Sequence, residues 1–394
     1  MSARRRGFAV LASSLLVTVA AASNASAAPP IVSDSPSSAA ASFGSECAAK
    51  RTTNTKASCY VKLLLRQIEK SHDPSLELPK LDAETRAASG FIAASCHALM
   101  HQVGRTYARR HHVTLGSLQH YLPKSNDPGC SAGFGHGLIM ALGPQILRVG
   151  PKGALRVCMR LPTRMRQYTC IHGLGHAYMR MYGEYLRYAL PLCRKLGPRA
   201  APDCAQGAFH DYWIAASGRD ATAKRPGLVT SPRVLCGARR GTFAMACWYR
   251  VFVERPPRHE VETASDIDGL CTGLRDVQRA GCVAAASLSA AGSNPFALTT
   301  MCAQLRGNDI ANCLRAVPVE EIGQWRGRQL ALIRSCGKLA DGARRPCYEW
   351  FGKALEVVTD GRFGRACRAL RSAAARSQCR LGASRFRAPL VTFA

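Results

Sequence analysis

Cysteines recur along this 394-residue chain in pairs, and their spacing constrains the fold more than any other feature. Eight of the pairs are separated by 11 or 12 positions, and from Cys170 onward the second members recur every 31 to 43 residues. That interval is the period of a helix–turn–helix repeat. The spacing therefore predicts an all-α chain of αα-hairpins, stapled by disulfides and stacked as an α-solenoid.

The residues around each pair predict where it lies in its hairpin. The first cysteine is usually followed three positions later by leucine, as in Cys193 and Leu196, which places both on one helical face. A Gly- and Pro-bearing stretch follows, and Asp203 stands where a cap for the next helix is expected, just before Cys204. A disulfide in this position clamps the turn and stabilises the fold by about 3 kcal/mol in the chain-entropy model.

Two cysteines fall outside this spacing, 34 positions apart, and we predict that they pair with each other across an irregular connection. Spacing alone does not fix connectivity, so local pairing is the assumption behind the whole set. The predicted disulfides are Cys47–Cys59, Cys96–Cys130, Cys158–Cys170, Cys193–Cys204, Cys236–Cys247, Cys271–Cys282, Cys302–Cys313, Cys336–Cys347 and Cys367–Cys379.

In this spacing the chain is similar to cysteine-rich, tetratricopeptide-like αα-repeats. The tetratricopeptide consensus itself is absent, so the resemblance implies an architecture and assigns no role to any residue.

The first residues predict export. Three arginines at positions 4–6, a short apolar stretch and an Ala25-Ser26-Ala27 cleavage site form a signal peptide over 1–27. Its start also resembles a twin-arginine signal, so that route and ordinary secretion both stay open. An Ala/Ser/Pro-rich leader follows over 28–46. With 18 cysteines in an exported chain, disulfides and a secreted or cell-envelope location are expected, and no later segment is long and apolar enough to span a membrane.

The chain is strongly basic, with a formal net charge of +29. Such a charge favours an anionic substrate or a cell-envelope polyanion as partner. An alternative explanation is a scattered, solvated basic surface, because the arginines are not gathered in one run. Specific readout of nucleic-acid sequence is not expected.

Histidines are concentrated in one part of the chain, which divides it into a His-rich half, 47–260, and a His-free half, 261–394. Three consecutive units carry the motif C-x-x-G-x-x-H, which places His136, His176 and His210 at equivalent repeat positions. Equivalent positions on stacked helices line one face, with helix axes about 8–10 Å apart. Imidazoles at these positions are therefore expected to meet.

Three further histidines extend this set to six, because His97/His101 and His172/His176 are each spaced i, i+4, as in a chelating pair. Six imidazoles with few carboxylates suit copper, zinc or iron, and axial ligation of haem is not excluded. His111, His112 and His120 are expected at the surface. The alternatives to metal binding are histidines that only pack or hydrogen-bond, and metal-free acid/base chemistry.

Other residues join this segment as weaker candidates. Gly in a helix costs about 0.5–1 kcal/mol relative to Ala, so a recurring glycine calls for a reason: space for a ligand or close approach of a helix. Asp211 is the nearest carboxylate for a ligand or for the partner of a ligand. The candidates are the glycines Gly133, Gly173 and Gly207, the carboxylate Asp211, and the anion-binding arginines Arg105, Arg166 and Arg180.

Three functions follow from these features. The first is an exported metalloprotein. If it is an enzyme, it is expected to be an oxidoreductase or a hydrolase whose metal ion has an open coordination position. The second is a non-catalytic basic scaffold that binds polyanions or cell-surface partners. The third is metal capture or delivery, which uses the same site without turnover.

Overall fold

The structure is a computed structural model, and it describes most of the chain after the leader. The predicted signal peptide and most of the predicted leader lie outside the described residues. The residues that the structure describes are 44–71, 73–88, 91–123, 130–183, 185–216, 231–254, 261–291, 295–315, 329–359 and 361–385.

Over these residues the chain is helical, and no strand occurs in them. We number the α-helices in chain order. They are α1 (Ser45–Ala48), α2 (Thr53–Lys70), α3 (Pro74–Ala87), α4 (Phe91–Arg110), α5 (Leu118–Tyr121), α6 (Cys130–Ala141), α7 (Gly143–Met159), α8 (Arg164–Met181), α9 (Leu186–Arg194), α10 (Ala201–Ala216), α11 (Pro232–Gly237), α12 (Gly241–Glu254), α13 (Ala264–Leu270), α14 (Asp276–Ala291), α15 (Pro295–Cys302), α16 (Asn308–Leu314), α17 (Gln329–Ser335), α18 (Asp341–Val358) and α19 (Ala373–Ser384). Two 3-10 turns, Cys336–Lys338 and Phe363–Ala369, lie before α18 and α19.

Several helices begin where a side-chain oxygen accepts a hydrogen bond from a free backbone N–H group. The Thr52 side chain accepts from Thr55 at the start of α2, and the Thr163 side chain accepts from Arg166 at the start of α8. The prediction that Asp203 caps α10 is wrong. That helix begins at Ala201, so Asp203 lies inside its first turn, where it is buried and pairs with Arg164 at 3.1 Å.

All nine predicted cysteine pairs are at disulfide distance, and every one of the 18 cysteines is paired. In a typical hairpin the first cysteine is near the end of a short helix, and the second is in the first two turns of the next, as with Cys193 in α9 and Cys204 in α10. The disulfides therefore clamp successive turns.

The longer helices contact one another in a regular order. From α2, each alternate helix contacts the next: α2 with α4, then α6, α8, α10, α12, α14, α16 and α18, which packs on α19. The helix α18 also contacts α8, so the C-terminal part of the chain lies against the His-rich part. One continuous hydrophobic core runs from Cys47 to Cys379. None of the described helices is long and apolar enough to cross a lipid bilayer.

The start of α6 is held by a buried carboxylate from α3. Asp82 accepts a hydrogen bond of 2.8 Å from the backbone N–H of Ser131 and another from its hydroxyl. Both residues are buried. Asp82 thereby satisfies an N–H group that the first turn of a helix leaves unpaired, and it fixes the helix that carries His136.

We expect Asp82→Ala to lower the free energy of unfolding by about 2 kcal/mol, because the substitution leaves the buried N–H and hydroxyl of Ser131 without their charged acceptor. Denaturant unfolding with the disulfides intact measures this. Asp341→Ala, at an exposed position, is the control and is expected to change little. Equal stability of the two variants would contradict the role given to Asp82.

Candidate metal centre

Six histidines from four helices lie side by side in the core of the His-rich part. Helix α4 supplies His97 and His101, α6 supplies His136, α8 supplies His172 and His176, and α10 supplies His210. Their ring centroids are 4.6–5.9 Å apart in eleven pairs. His97 is partly exposed, and the other five side chains are buried. All six predicted ligand candidates are therefore in one place.

Glycines allow the helices to come close enough for this. A Cβ atom on Gly133 would overlap the carbonyl oxygen of His97, and a Cβ atom on Gly207 would overlap that of His172. The two glycines thus allow the same kind of close helix contact at two places, between α4 and α6 and between α8 and α10. A Cβ atom on Gly173 would instead meet the Ile139 side chain at 2.7 Å. Of the two reasons expected for these glycines, the close approach of helices is the one seen.

Three ring nitrogens converge at the α4–α6 contact. Nε2 of His101 is 3.2 Å from Nε2 of His97 and 3.3 Å from Nδ1 of His136. A ring nitrogen offers one N–H or one lone pair in the ring plane, so hydrogen bonding satisfies only one such neighbour well. Zinc–imidazole bonds of 2.0–2.1 Å place tetrahedral donors about 3.3 Å apart. Each of the two distances therefore matches the separation of two ligands that could hold one metal ion.

A second group of three donors overlaps the first. Donor atoms of His136, His172 and His176 lie within 4.8 Å of one another, as do those of His97, His101 and His136. Within the described part of the chain, His136 Nε2, His172 Nδ1 and His176 Nε2 are buried and have no hydrogen-bond partner. Buried polar atoms are normally paired, so three such nitrogens in one group are a set that could hold a metal ion.

Asp211 orients one of these rings. Its Oδ1 is 3.3 Å from Nδ1 of His176, and its Oδ2 is 3.7 Å from Nε of Arg180. A carboxylate in this position favours a proton on Nδ1, which leaves the Nε2 lone pair for a metal ion. Asp211 was expected to be either a metal ligand or the hydrogen-bond partner of a ligand. Its contact with His176 fits the second of these roles.

Burial keeps the imidazoles in the form that binds metal ions. It lowers the pKa of His101, His136, His172, His176 and His210 from the usual value, because a charged ring is poorly solvated in the core. Asp211 partly opposes this at His176. Neutral rings present lone pairs at neutral pH, so protons compete weakly with a metal ion.

Two of the three predicted anion-binding arginines lie close enough to the centre to affect its histidines. Arg105 and Arg180, both predicted as anion-binding candidates, lower the pKa of His101 and His176 respectively through their charge. Arg166 is tied elsewhere, because its guanidinium donates to the carbonyl oxygens of Gln119 and Leu122. It joins α8 to the connection before α6.

One arginine beside the centre was not among the sequence candidates. Arg250 of α12 is buried, and after burial its charge is the largest cause of the lowered pKa of His172 and of His210. Its Nη2 donates to Oε1 of Gln206 at 3.4 Å, and Tyr168 donates to the same oxygen at 3.0 Å. Arg250 occupies the glycine position of its repeat unit, three residues after Cys247, and that substitution was the available signal.

We expect Asp211→Asn to weaken metal binding by about 10- to 100-fold while the fold is retained, because an amide orients His176 less strongly than a carboxylate does. Competition with a chromogenic chelator measures the affinity, and circular dichroism checks the fold. Asp341→Asn is the surface control. An unchanged metal affinity in Asp211→Asn would mean that metal binding does not depend on the contact between Asp211 and Nδ1 of His176.

Comparisons of the chain with protein-family models, with curated proteins and with solved structures give no match.

Proposed function

We propose that this chain is an exported metalloenzyme whose buried histidine centre binds a transition metal ion. The observation that carries the proposal is the convergence of three histidine nitrogens within 4.8 Å of one another. Structural zinc sites have four protein ligands, whereas catalytic sites have three and leave a position for water or substrate. A three-histidine group is of the second kind.

The donor set favours copper or zinc, with iron as the third choice. Neutral imidazoles suit these ions, and calcium and magnesium prefer oxygen ligands. A haem is disfavoured by the packing, because rings with centroids about 5 Å apart leave little width for a macrocycle between them. All cysteines are paired, so thiolate ligation is not part of the proposal.

The bound ion would activate water for hydrolysis, or dioxygen in the case of copper or iron, on a small or anionic substrate. His97 is the partly exposed member of the centre, so substrate would enter on its side. Arg105, Arg180 and Arg250 place positive charge beside the histidines, which supports an anionic substrate. We also infer that the hairpins stack as an α-solenoid, since alternate helices contact one another in order.

Elemental analysis of the full exported chain, purified without an affinity tag, tests metal binding. We expect stoichiometric metal in the wild type and its loss in a His101→Ala/His176→Ala double variant, with His120→Ala as a surface control. A wild-type chain that is folded and retains no metal after incubation with copper or zinc salts would refute the proposal.

Turnover separates an enzyme from a protein that captures or delivers metal. The zinc-loaded chain is assayed with chromogenic aryl phosphate and aryl sulfate esters, and the copper-loaded chain with a phenol under air. Turnover that stops after chelation supports the enzyme. Metal that passes to a chelator within minutes, without turnover of any probe, supports delivery instead.

The net charge of +29 supports a second candidate, a scaffold for polyanions. Exposed arginines occur on several helices and turns, including Arg51, Arg109, Arg148, Arg199 and Arg371. This function predicts binding to heparin or an anionic cell-wall polymer that weakens steeply with salt and is unchanged by His101→Ala/His176→Ala. Binding that does not depend on salt would exclude it.

A further inference from the structure

The central histidine of the cluster belongs to both groups of donors. His136 forms one group with His97 and His101, and a second group with His172 and His176. A single ion cannot have all five of these rings and still leave an open position in a tetrahedral site. The question is therefore how many ions the centre holds.

The two nitrogens of His136 face different neighbours. Nδ1 is 3.3 Å from Nε2 of His101, in the first group. Nε2 is buried and has no hydrogen-bond partner in the described part of the chain. In the second group, His172 Nδ1 and His176 Nε2 are likewise buried and without a hydrogen-bond partner in the described part of the chain. Since the ring nitrogens of an imidazole point in different directions, one ring can serve two sites.

We propose that the centre holds two metal ions bridged by the His136 ring, an inference that rests on the proposed function and adds the number of ions to it. The first ion binds His97 Nε2, His101 Nε2 and His136 Nδ1. The second binds His136 Nε2, His172 Nδ1 and His176 Nε2. When both bind, the ring N–H bond of His136 breaks, its proton leaves to solvent, and each nitrogen forms a bond to one ion.

The remaining histidine positions a ligand. His210 Nδ1 is 3.4 Å from Nε2 of His172, the nitrogen that the second ion does not use. This contact turns Nδ1 of His172 toward the second site, much as Asp211 turns Nε2 of His176. The second ion is thus held by rings with oriented partners, whereas the first is nearer to solvent through His97.

The two ions would therefore have different roles. The first has the partly exposed ligand and is the ion that meets substrate. The second is enclosed by buried rings and raises the positive charge beside the first. Metal–nitrogen bonds of about 2 Å on either side of the His136 ring hold the two ions about 6 Å apart, so the second ion acts on the reaction through its charge and does not bind the same substrate atoms.

Metal stoichiometry and magnetic coupling test the bridge in the full chain with its disulfides formed. The chain is freed of metal with a chelator, loaded with Zn²⁺ or Cu²⁺, and separated from unbound ions. We expect two Zn²⁺ per chain by elemental analysis. With two Cu²⁺ bound, we expect the electron paramagnetic resonance signal to fall well below the copper content, because two ions on one imidazolate couple.

Variants then assign the two sites. His97→Ala should retain one ion, the second, and His172→Ala should retain one ion, the first. His136→Ala should abolish the coupling and retain one ion at most. His120→Ala, at an exposed position, should keep two coupled ions, and circular dichroism checks that each variant is folded.

The outcomes separate this inference from the proposed function. One Zn²⁺ per wild-type chain, or two Cu²⁺ whose full uncoupled signal is unchanged in His136→Ala, would overturn the bridge and leave a metal centre in place. A wild-type chain that retains no ion would overturn both. The wild-type stoichiometry and coupling decide the question even where a variant does not fold.

Discussion

Gly207→Ala is expected to lower the free energy of unfolding by about 3 kcal/mol, at the upper end of the effects of overpacking. The added Cβ would overlap the carbonyl oxygen of His172, which is backbone and cannot rotate away. The helices α8 and α10 would have to separate along their whole contact. Because His172 and His210 are carried by these two helices, the second metal site would be disrupted as well.

Denaturant unfolding and metal affinity measure the two consequences of Gly207→Ala together. The matched control is Gly237→Ala at the end of α11, where a Cβ has no atom within 4 Å. Alanine is the better helix former, so we expect the control to be neutral or slightly stabilising. Similar stability for the two variants would show that α8 and α10 do not depend on close packing at Gly207.

The metal-free protein is expected to lose several kcal/mol of stability as the pH falls from about 6.5 to about 5.5. Burial lowers the pKa of five histidines in the folded chain, whereas in the unfolded chain they titrate near 6.5. Below that value the unfolded state binds more protons than the folded state. Stability is therefore complete above about pH 6.5 and falls as the pH drops, by up to about 1.4 kcal/mol per pH unit for each such histidine.

Urea unfolding of the chelator-treated chain across this pH range measures the effect. The charges of Arg105, Arg180 and Arg250 act in the same direction as burial, and Asp211 acts against it at His176 alone. His120→Ala, at an exposed position, is the surface control. A flat profile would mean that the rings become protonated without opening the core.

Local features of the sequence predicted much of this structure. Cysteine spacing predicted the helical fold and all nine pairs, because each disulfide joins elements that are adjacent along the chain. The shared position of His136, His176 and His210 in the repeat predicted that they lie together. The i, i+4 spacing did the same for His97 and His101, since both depend only on helical periodicity.

The remaining features depend on how the helices pack. Arg250 reaches the centre from α12, and only the packing of α10 against α12 puts it there. The start of α10 was misplaced because Asp203 is a good capping residue, yet it is buried against Arg164. The contact of α18 with α8 joins residues far apart in sequence, and nothing in the repeat spacing specifies it.

The order of the disulfides has a consequence for how the chain acquires them. Every pair, including Cys96–Cys130, joins one cysteine to the next cysteine along the sequence. In a chain that emerges N-terminus first into an oxidising compartment, a thiol oxidase that joins each new cysteine to the unpaired one before it makes only native bonds. Such a chain has little need of a disulfide isomerase. In such a chain the disulfides of the histidine-bearing helices form before the last third of the sequence emerges.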